Sequence, residues 1–439
     1  MMYKVLLGSA LLAAAFARVE PGGPNCVGNI TFNRDIAPII YKNCTPCHRK
    51  GEVAPFPLVS YGDVAKRAGQ IASATASRFM PPWRPEPGYG EFQGCRRLSD
   101  REIGLINDWV RDGAVEGDAK DAPASPRFGE EWQMGQPDLI LEMPEAFEVP
   151  PNVHDIFQCF VIPINLPGDK IVTGFEVRPG NRSVVHHMLM FLDTTGAARK
   201  RDAEDPAVGY SSFGDPGFLP TGALGAWAPG VSPFQLPAGV GILLKGGSDL
   251  VIQIHYHPDS KSESDRSRVG IYFSKTPVKS LAVTIPILQH NLDIPPGEKR
   301  HRVTTSFTVP IGVEVIGITP HMHLLGREMR IAAATPDNNQ VPMIWIKDWD
   351  FHWQGQYLYT KPLFLPKGTV IGMEAFYDNS SDNPRNPNRP PERVGWGPDA
   401  TDEMALCMIL VALKRFSDLG LLRSAISSQP GLARNPQVR

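Results

Sequence analysis

Two adjacent histidines, His186 and His187, stand inside an apolar, strand-like run, Val184-Val185-His186-His187-Met188-Leu189-Met190-Phe191. Two further pairs follow at His-x-His spacing, His255 with His257 and His321 with His323. Six of the 11 histidines therefore fall in three tight clusters, all in the later part of the chain. Imidazole is the commonest protein ligand for transition metals. On an extended strand residues i and i+2 face the same way, so His-x-His aims two ligands at one point. The clusters predict a metal site, and their number predicts two. His186 and His187 add a geometric demand. Consecutive residues of a regular strand face opposite ways, so both reach one ion only where the backbone bends or the strand ends.

At 439 residues the chain exceeds one ordinary domain. The near-balanced charge, formally -2, gives no basic patch for nucleic acid and no acidic solvating tail. With 43 prolines and 41 glycines beside 42% hydrophobic residues, many short strands and turns are expected rather than disorder. Residues 1–17 read as a secretory leader: Lys4, an apolar run over residues 5–16, and Ala15-Phe16-Ala17 as a cleavage site. That run is shorter than the ~20 residues a membrane span needs. No other stretch is long and apolar enough to span, so a periplasmic or secreted protein is expected.

Residues 26–120 form the first expected domain. Cys44-Thr45-Pro46-Cys47-His48 is the C-x-x-C-H haem-attachment signature, with a redox dithiol or half a zinc site as the other readings. In the haem reading Cys44 and Cys47 make the thioethers, His48 is one axial ligand, and Met80 is the candidate for the other. Residues 36–41 read as a helix entering the motif. Ser99 and Glu102 make a capping box ahead of a helix burying Ile103, Leu105, Ile106, Trp109 and Val110. This order resembles a class I cytochrome c, a small all-α domain. Cys26 and Cys95 flank it and are a candidate disulfide. Residues 121–137 read as a linker.

From residue 138 short apolar runs alternate with turns, about fourteen in all, as in antiparallel β-sandwiches. A seam near residues 289–299 divides them into two all-β domains, 138–288 and 289–418, with a tail over 419–439 that holds a short helix and then frays. In the run ending at His257, alternation sets Val251, Gln253, His255 and His257 on one face and Ile252, Ile254 and Tyr256 on the other.

Several segments occur in a telling order: His186-His187-Met188, residues 224–228 (LGAWA), 236–241 (LPAGVG), 251–256 (VIQIHY), 294–299 (IPPGEK), His321-x-His323-x-Leu325-Gly326 and Asp402-Glu403-Met404. Residues 138–415 thereby resemble the ascorbate-dependent type II copper monooxygenases, the peptidylglycine α-hydroxylating and dopamine β-monooxygenase family. The resemblance implies two jelly-roll-like sandwiches carrying two copper ions. It assigns His186, His187 and His255 to an electron-transfer copper. It assigns His321, His323 and Met404 to the catalytic copper, where O2 meets a substrate C–H bond. It also implies that two electrons enter per turnover, from ascorbate or from a donor protein. The fused haem is a candidate route for them.

Departures from the family matter as well. Where the peptide-hydroxylating member has an Arg, an Asn and a Tyr for its substrate, this chain has Thr319, Leu406 and Met408, so an apolar or neutral small molecule is expected rather than a peptide carboxylate. Cys159 and Cys407 are left as buried free thiols or as a bridge. His257 has no counterpart, and is read as a group supporting the site, an alternative ligand or a solvated strand end. His154, His290, His301 and His352 are read as non-ligands. Two rival functions share these residues: a copper and haem electron carrier or redox sensor without hydroxylase activity, and a zinc hydrolase.

Overall fold

A computed structural model describes residues 30–429 except 51, 53, 127–131, 154, 213, 232 and 398. The expected leader, Cys26, His154 and residues 430–439 lie outside the described residues.

The N-terminal part is helical. A π-turn, Phe32–Ile36, runs into the helix Ala37–Asn43 and delivers Cys44 at its end. Two short helices follow, Tyr61–Ala65 and Ala68–Ala76, then the longer Asp100–Arg111. The last is opened by the expected capping box: Ser99 N–H donates to Glu102 Oε2 at 2.7 Å, and Glu102 N–H to Ser99 Oγ at 3.2 Å. Its Ile106 and Trp109 are fully buried with Phe32, Ile36, Ile40 and Val64.

Between these helices the chain leaves its own core. Residues 83–93 lie along the C-terminal β-region as a strap. Glu86 N–H donates to Trp345 O at 2.8 Å and Gln93 N–H to Leu358 O at 2.8 Å. Phe92 is buried within the C-terminal hydrophobic cluster, and Trp83 packs edge-on against Tyr357. On the other side, Glu52 pairs with Arg182 at 2.6 Å, in the first β-region. The helical part thus touches both halves of the β-region. Within the connector, Trp132 is buried and lies beside the guanidinium groups of Arg178 and Arg268.

The rest is β-structure, almost all antiparallel. A five-stranded sheet runs in the order Tyr210–Ser211, Ile156–Pro163, Asp249–Tyr256, Val185–Asp193, Gly222–Trp227. A four-stranded sheet runs His301–Thr308, Val370–Tyr377, Gly326–Ala334, Gln340–Ile346. Both pack against one nine-stranded sheet. Leu141, Val172, Phe175, Val269 and Ile271 of that sheet share a core with Phe160, Met188, Ile252 and Ile254 of the five-stranded one. Ile285, Val315, Ile409 and Val411 share another with Met329, Ile331, Met373 and Ala375 of the four-stranded one.

The nine-stranded sheet is continuous across the two halves. Ser280–Leu288 pairs antiparallel with Leu406–Leu413 along its length, and in parallel with Val240 and Gly241 for two residues. The seam near 289–299 therefore follows a strand that already belongs to the C-terminal sheet. Ala282, Ile316, Leu410 and Ala412 point from this sheet into the N-terminal core. The expected alternation holds in Asp249–Tyr256: Ile252, Ile254 and Tyr256 enter the large core, and Val251 a small cluster with Cys159, Ala198 and Tyr210. Every residue of the strand is buried, because both faces are covered.

Cys159 and Cys407 are free, and they lie in different sheets and different clusters, which rules out a bridge between them. The tail does form a helix, Leu419–Ser427, held by Leu422. No helix among the described residues is long and apolar enough to cross a membrane.

The strap yields a prediction. Phe92→Ala removes a buried ring from a core to which it does not belong in sequence. It should cost about 3–5 kcal/mol, read as a lower denaturation midpoint. A change within ±0.5 kcal/mol would mean the strap does not contribute to that core.

Candidate metal centres

The first cluster is built on the paired strands Val185–Asp193 and Asp249–Tyr256. His255 lies opposite His187, but the next pair is Tyr256 with Val185, so His186 is the extra residue of a bulge. The bulge meets the demand set by two consecutive histidines, and both turn the same way. His186 Nδ1 lies 3.1 Å from His187 Nδ1, which lies 3.2 Å from His255 Nδ1. Among the described residues these three form a group able to hold a metal ion. The other nitrogen of His255, Nε2, is buried at ion-pair distance, 3.1 Å, from Asp155 Oδ2. The approach is an ion-pair contact, and Nε2 makes no hydrogen bond among the described residues. His257 Nδ1 is 2.7 Å from the other oxygen of Asp155, so His257 buttresses the aspartate. Phe157 stacks on His255, centroids 4.2 Å apart.

The second cluster lies at the end of Val313–His321, which pairs with Leu406–Leu413. Its nitrogens are assigned by their partners. Gln354 Nε2 donates to Phe351 O at 2.9 Å, which points its Oε1 at His321 Nδ1, 2.5 Å away. His323 Nδ1 lies 3.1 Å from the carbonyl of Asp402. Both Nδ1 atoms must donate, so Nε2 carries the lone pair in each. The ring centroids are 5.1 Å apart. The ladder ends with His321 opposite Leu406; Met404, two residues before Leu406, is buried, and its methyl would lie 3.7 Å from a side-chain carbon at Gly214. Glu403, fully buried, fixes this corner by accepting N–H groups of Leu325 at 2.6 Å, His323 at 2.9 Å and Met404 at 3.2 Å.

Burial keeps His186, His187, His321 and His323 neutral, as metal ligands must be. Burial, helped by the neighbouring His255, brings His186 down to about 4. Burial and His321 bring His323 down to about 3. His187 and His321 shift the same way, also chiefly through burial. Burial alone would raise Asp155, yet His255 and His257 overcome it and bring the carboxyl down to about 2.

The two clusters are neighbours. Phe351 lies nearly parallel to His186 at 6.0 Å and edge-on to His323 at 5.8 Å. The isolated histidines have other partners: His290 packs on Trp396 and His301 pairs with Glu298.

In the N-terminal part, His48 Nδ1 donates to Phe56 O at 3.1 Å and its ring packs on Phe56, leaving Nε2 with the lone pair. Cys44 stands one helical turn before His48, whose N–H donates to Cys44 O at 2.9 Å. Burial pushes the Cys44 thiol up to about 12 and raises Cys47 too, the reverse of what a redox dithiol needs. Met80 lines a hollow with Thr75, Arg78, Trp83 and Leu98.

Sequence reasoning gave no part to Asp155, Gln354 or Phe351. Each lies far in sequence from the histidine it touches, and no spacing rule marks it.

No family model matches the chain. Over 169 residues it is 30% identical to peptidyl-glycine alpha-amidating monooxygenase of Mus musculus, covering 37% of this chain and 16% of that protein. Over 198 residues it is 28% identical to the Rattus norvegicus protein of that name, covering 43% and 19%. It is 24% identical over 292 residues to DBH-like monooxygenase protein 1 of Gallus gallus, covering 59% and 45%. The chain is thus distantly related to these monooxygenases and spans less than half the length of each. Among solved structures, PNGF-II matches with a TM-score of 0.27 at 8% identity over 63% of this chain and 65% of that one, too low to carry an argument.

Three predictions follow from this geometry. Asp155→Asn should weaken metal retention at the first cluster by about 10–100-fold, measured by competition with a chelator, with the second cluster unchanged. Glu403→Ala strands buried N–H donors and should cost about 2 kcal/mol or more in a denaturant titration. The third concerns pH. An unfolded imidazole takes up its proton near pH ~6.5, but folded His186 and His323 do so only near about 4 and about 3. Below ~6.5 the unfolded chain therefore gains protons that the folded chain does not, and metal-free stability falls as pH drops toward ~4. Glu403, pushed up to about 8 by burial, acts in the opposite sense. It is one group against four shifted imidazoles, so the metal-free denaturation midpoint should be lower at pH 5 than at pH 7.

Proposed function

We propose that the chain is a copper-dependent monooxygenase that inserts one oxygen atom of O2 into a C–H bond of an uncharged, largely apolar small molecule. One observation carries the reading: His186, His187 and His255 each offer a ring nitrogen to one group whose ligand atoms all lie within 4.8 Å of one another. Three imidazoles gathered on one point, with burial favouring the neutral form of His186 and His187, make a ready donor set for a metal cation. The donor set fits copper, since imidazoles serve both of its oxidation states. His186, His187 and His255 would hold the first ion, and His321, His323 and Met404 the second, where a soft thioether favours Cu(I). Bound copper would supply the one-electron steps and the activation of O2. The protein's part is to keep the imidazoles neutral and to orient them: Asp155 for His255, Gln354 for His321, and the Asp402 carbonyl for His323.

The substrate class follows from the floor beside the second cluster. Thr319 lies opposite Met408, which lies opposite Pro286 on its other side, and His321 lies opposite Leu406. Cross-strand partners share a face, so Thr319, Pro286, Leu406 and Met408 form one uncharged surface next to His321. Met408 is 37% exposed. No cation stands among them to receive a carboxylate.

Electrons would come through a covalent haem c on Cys44 and Cys47 with His48 as axial ligand, and Met80 as its proposed partner on the iron. The bare Nε2 of His48 and the un-ionised thiols fit such a group. A donor protein or ascorbate would reduce the haem in turn. A side-chain carbon at Gly230 would lie 3.4 Å from Cys47 Sγ, so the thiol abuts that turn. Trp227, just before it, pairs with Met188, the neighbour of His187. This contact supports delivery to the first copper. Residues 1–17 support export as a leader, with action in the periplasm or outside the cell.

The test is metal and haem content of the exported protein, with His186→Ala and His321→Ala. Two coppers and one haem, with one copper lost in each variant, are expected, together with O2 uptake coupled to oxidation of a neutral apolar substrate. Zinc in place of copper would overturn the reading. Faster turnover of a peptide carboxylate than of neutral compounds would overturn the substrate class.

A further inference from the structure

The loop 349–356 enters the space between the two histidine clusters and is anchored at each step. Trp349 Nε1 donates to His323 O at 3.2 Å, and Arg385 donates to Trp349 O. Gln354 holds His321. Phe351, at the tip, touches a histidine of each cluster. The residue before it, Asp350, is buried, and its Oδ1 accepts the N–H of His352 at 3.1 Å. Its Oδ2 accepts from Arg84 Nη2 at 2.7 Å, while Arg84 Nη1 donates to Asp348 Oδ2 at 3.0 Å. Arg84 comes from the strap, far away in sequence, and the Arg84–Asp350 side chains are only 13% and 12% exposed. A charge-assisted pair this shielded is stronger than a surface ion pair, and breaking it leaves a buried carboxylate uncompensated.

We infer that the N-terminal strap, through Arg84 and Asp350, holds Phe351 as the spacer that sets the separation of the two metal sites. The phenyl ring stands 6.0 Å from the His186 ring and 5.8 Å from the His323 ring, one histidine of each cluster. It prevents the two β-halves from closing further at that point, since packed cores do not compress. Arg84 and Asp350 are positioning residues, because neither touches a ligand histidine. The geometry stands without any metal, whereas the consequence for metal separation rests on the two-copper reading.

The experiment therefore has a metal-free arm and a metal-loaded arm. In the full-length metal-free protein, hydrogen exchange in a peptide covering 349–356 should rise about tenfold or more in Arg84→Ala, as expected for loss of a charged hydrogen bond. Exchange within Val370–Tyr377 should not change. Asp350→Asn, which keeps an oxygen for the His352 N–H, should act in the same direction and replaces Arg84→Ala if that variant does not fold. In protein loaded with two Cu(II) ions, the dipolar distance distribution between them should broaden or shift in Arg84→Ala and in Phe351→Ala, with Arg84→Lys closer to the parent. Unchanged exchange over 349–356 in both anchor variants would overturn the inference. So would two bound ions whose separation is the same in Phe351→Ala as in the parent. Failure to load two ions would count against the copper reading and leave the exchange result to decide the inference.

Discussion

The structure depends on one sheet with two buried faces. Ser280–Leu288, Leu406–Leu413 and Val313–His321 lie side by side. From them Ile285, Val315, Ile409 and Val411 enter one core. Ala282, Ile316, Leu410 and Ala412 enter the other. Burial on both faces explains the near-continuous apolar run of Leu406–Leu413, which has no polar alternation to read. It also means that the halves are not hinged on a loop. Separating them would expose a full sheet face, so the sheet limits how far apart the two histidine clusters can move.

The sites are placed where strands end. The bulge at His186 and the last residue of Val313–His321 lie at ladder ends, where the backbone is free to re-aim a side chain while the strand behind stays rigid. The two clusters reach their neutral nitrogens in different ways. In the first, the three Nδ1 atoms face one another and the Asp155 carboxylate stands 3.1 Å from the far nitrogen of His255. In the second, an amide and a backbone carbonyl hold Nδ1 and direct Nε2 inward. The same residue type thus presents different atoms, and partners distant in sequence decide which.

The N-terminal part is joined to this framework by Glu52 on Arg182 and by the strap carrying Arg84 and Phe92. A module tethered only by its linker would be free to wander. One that contributes a ring to another core and a cation to a buried carboxylate is fixed in place. That fixity is what makes a steady electron path from the Cys47 turn toward His187, as proposed, physically reasonable.

The sequence by itself determined the local patterns. The His-x-His spacing, the capping box at Ser99, the helix into Cys44 and the alternation in Asp249–Tyr256 are set by neighbours a few residues apart, and periodicity reports such things directly. The need for a kink at His186-His187 was also legible, because consecutive strand residues cannot share a face. Only the tertiary structure decided how the kink is made, which nitrogen each histidine presents, and that Asp155, Gln354 and Phe351 stand at the sites. It also decided that Cys159 and Cys407 lie apart and that residues 83–93 leave the helical module for the β-core. Those outcomes arise from contacts between segments tens to hundreds of residues apart, and a single chain's local periodicity holds no record of which distant segments its packing brings together.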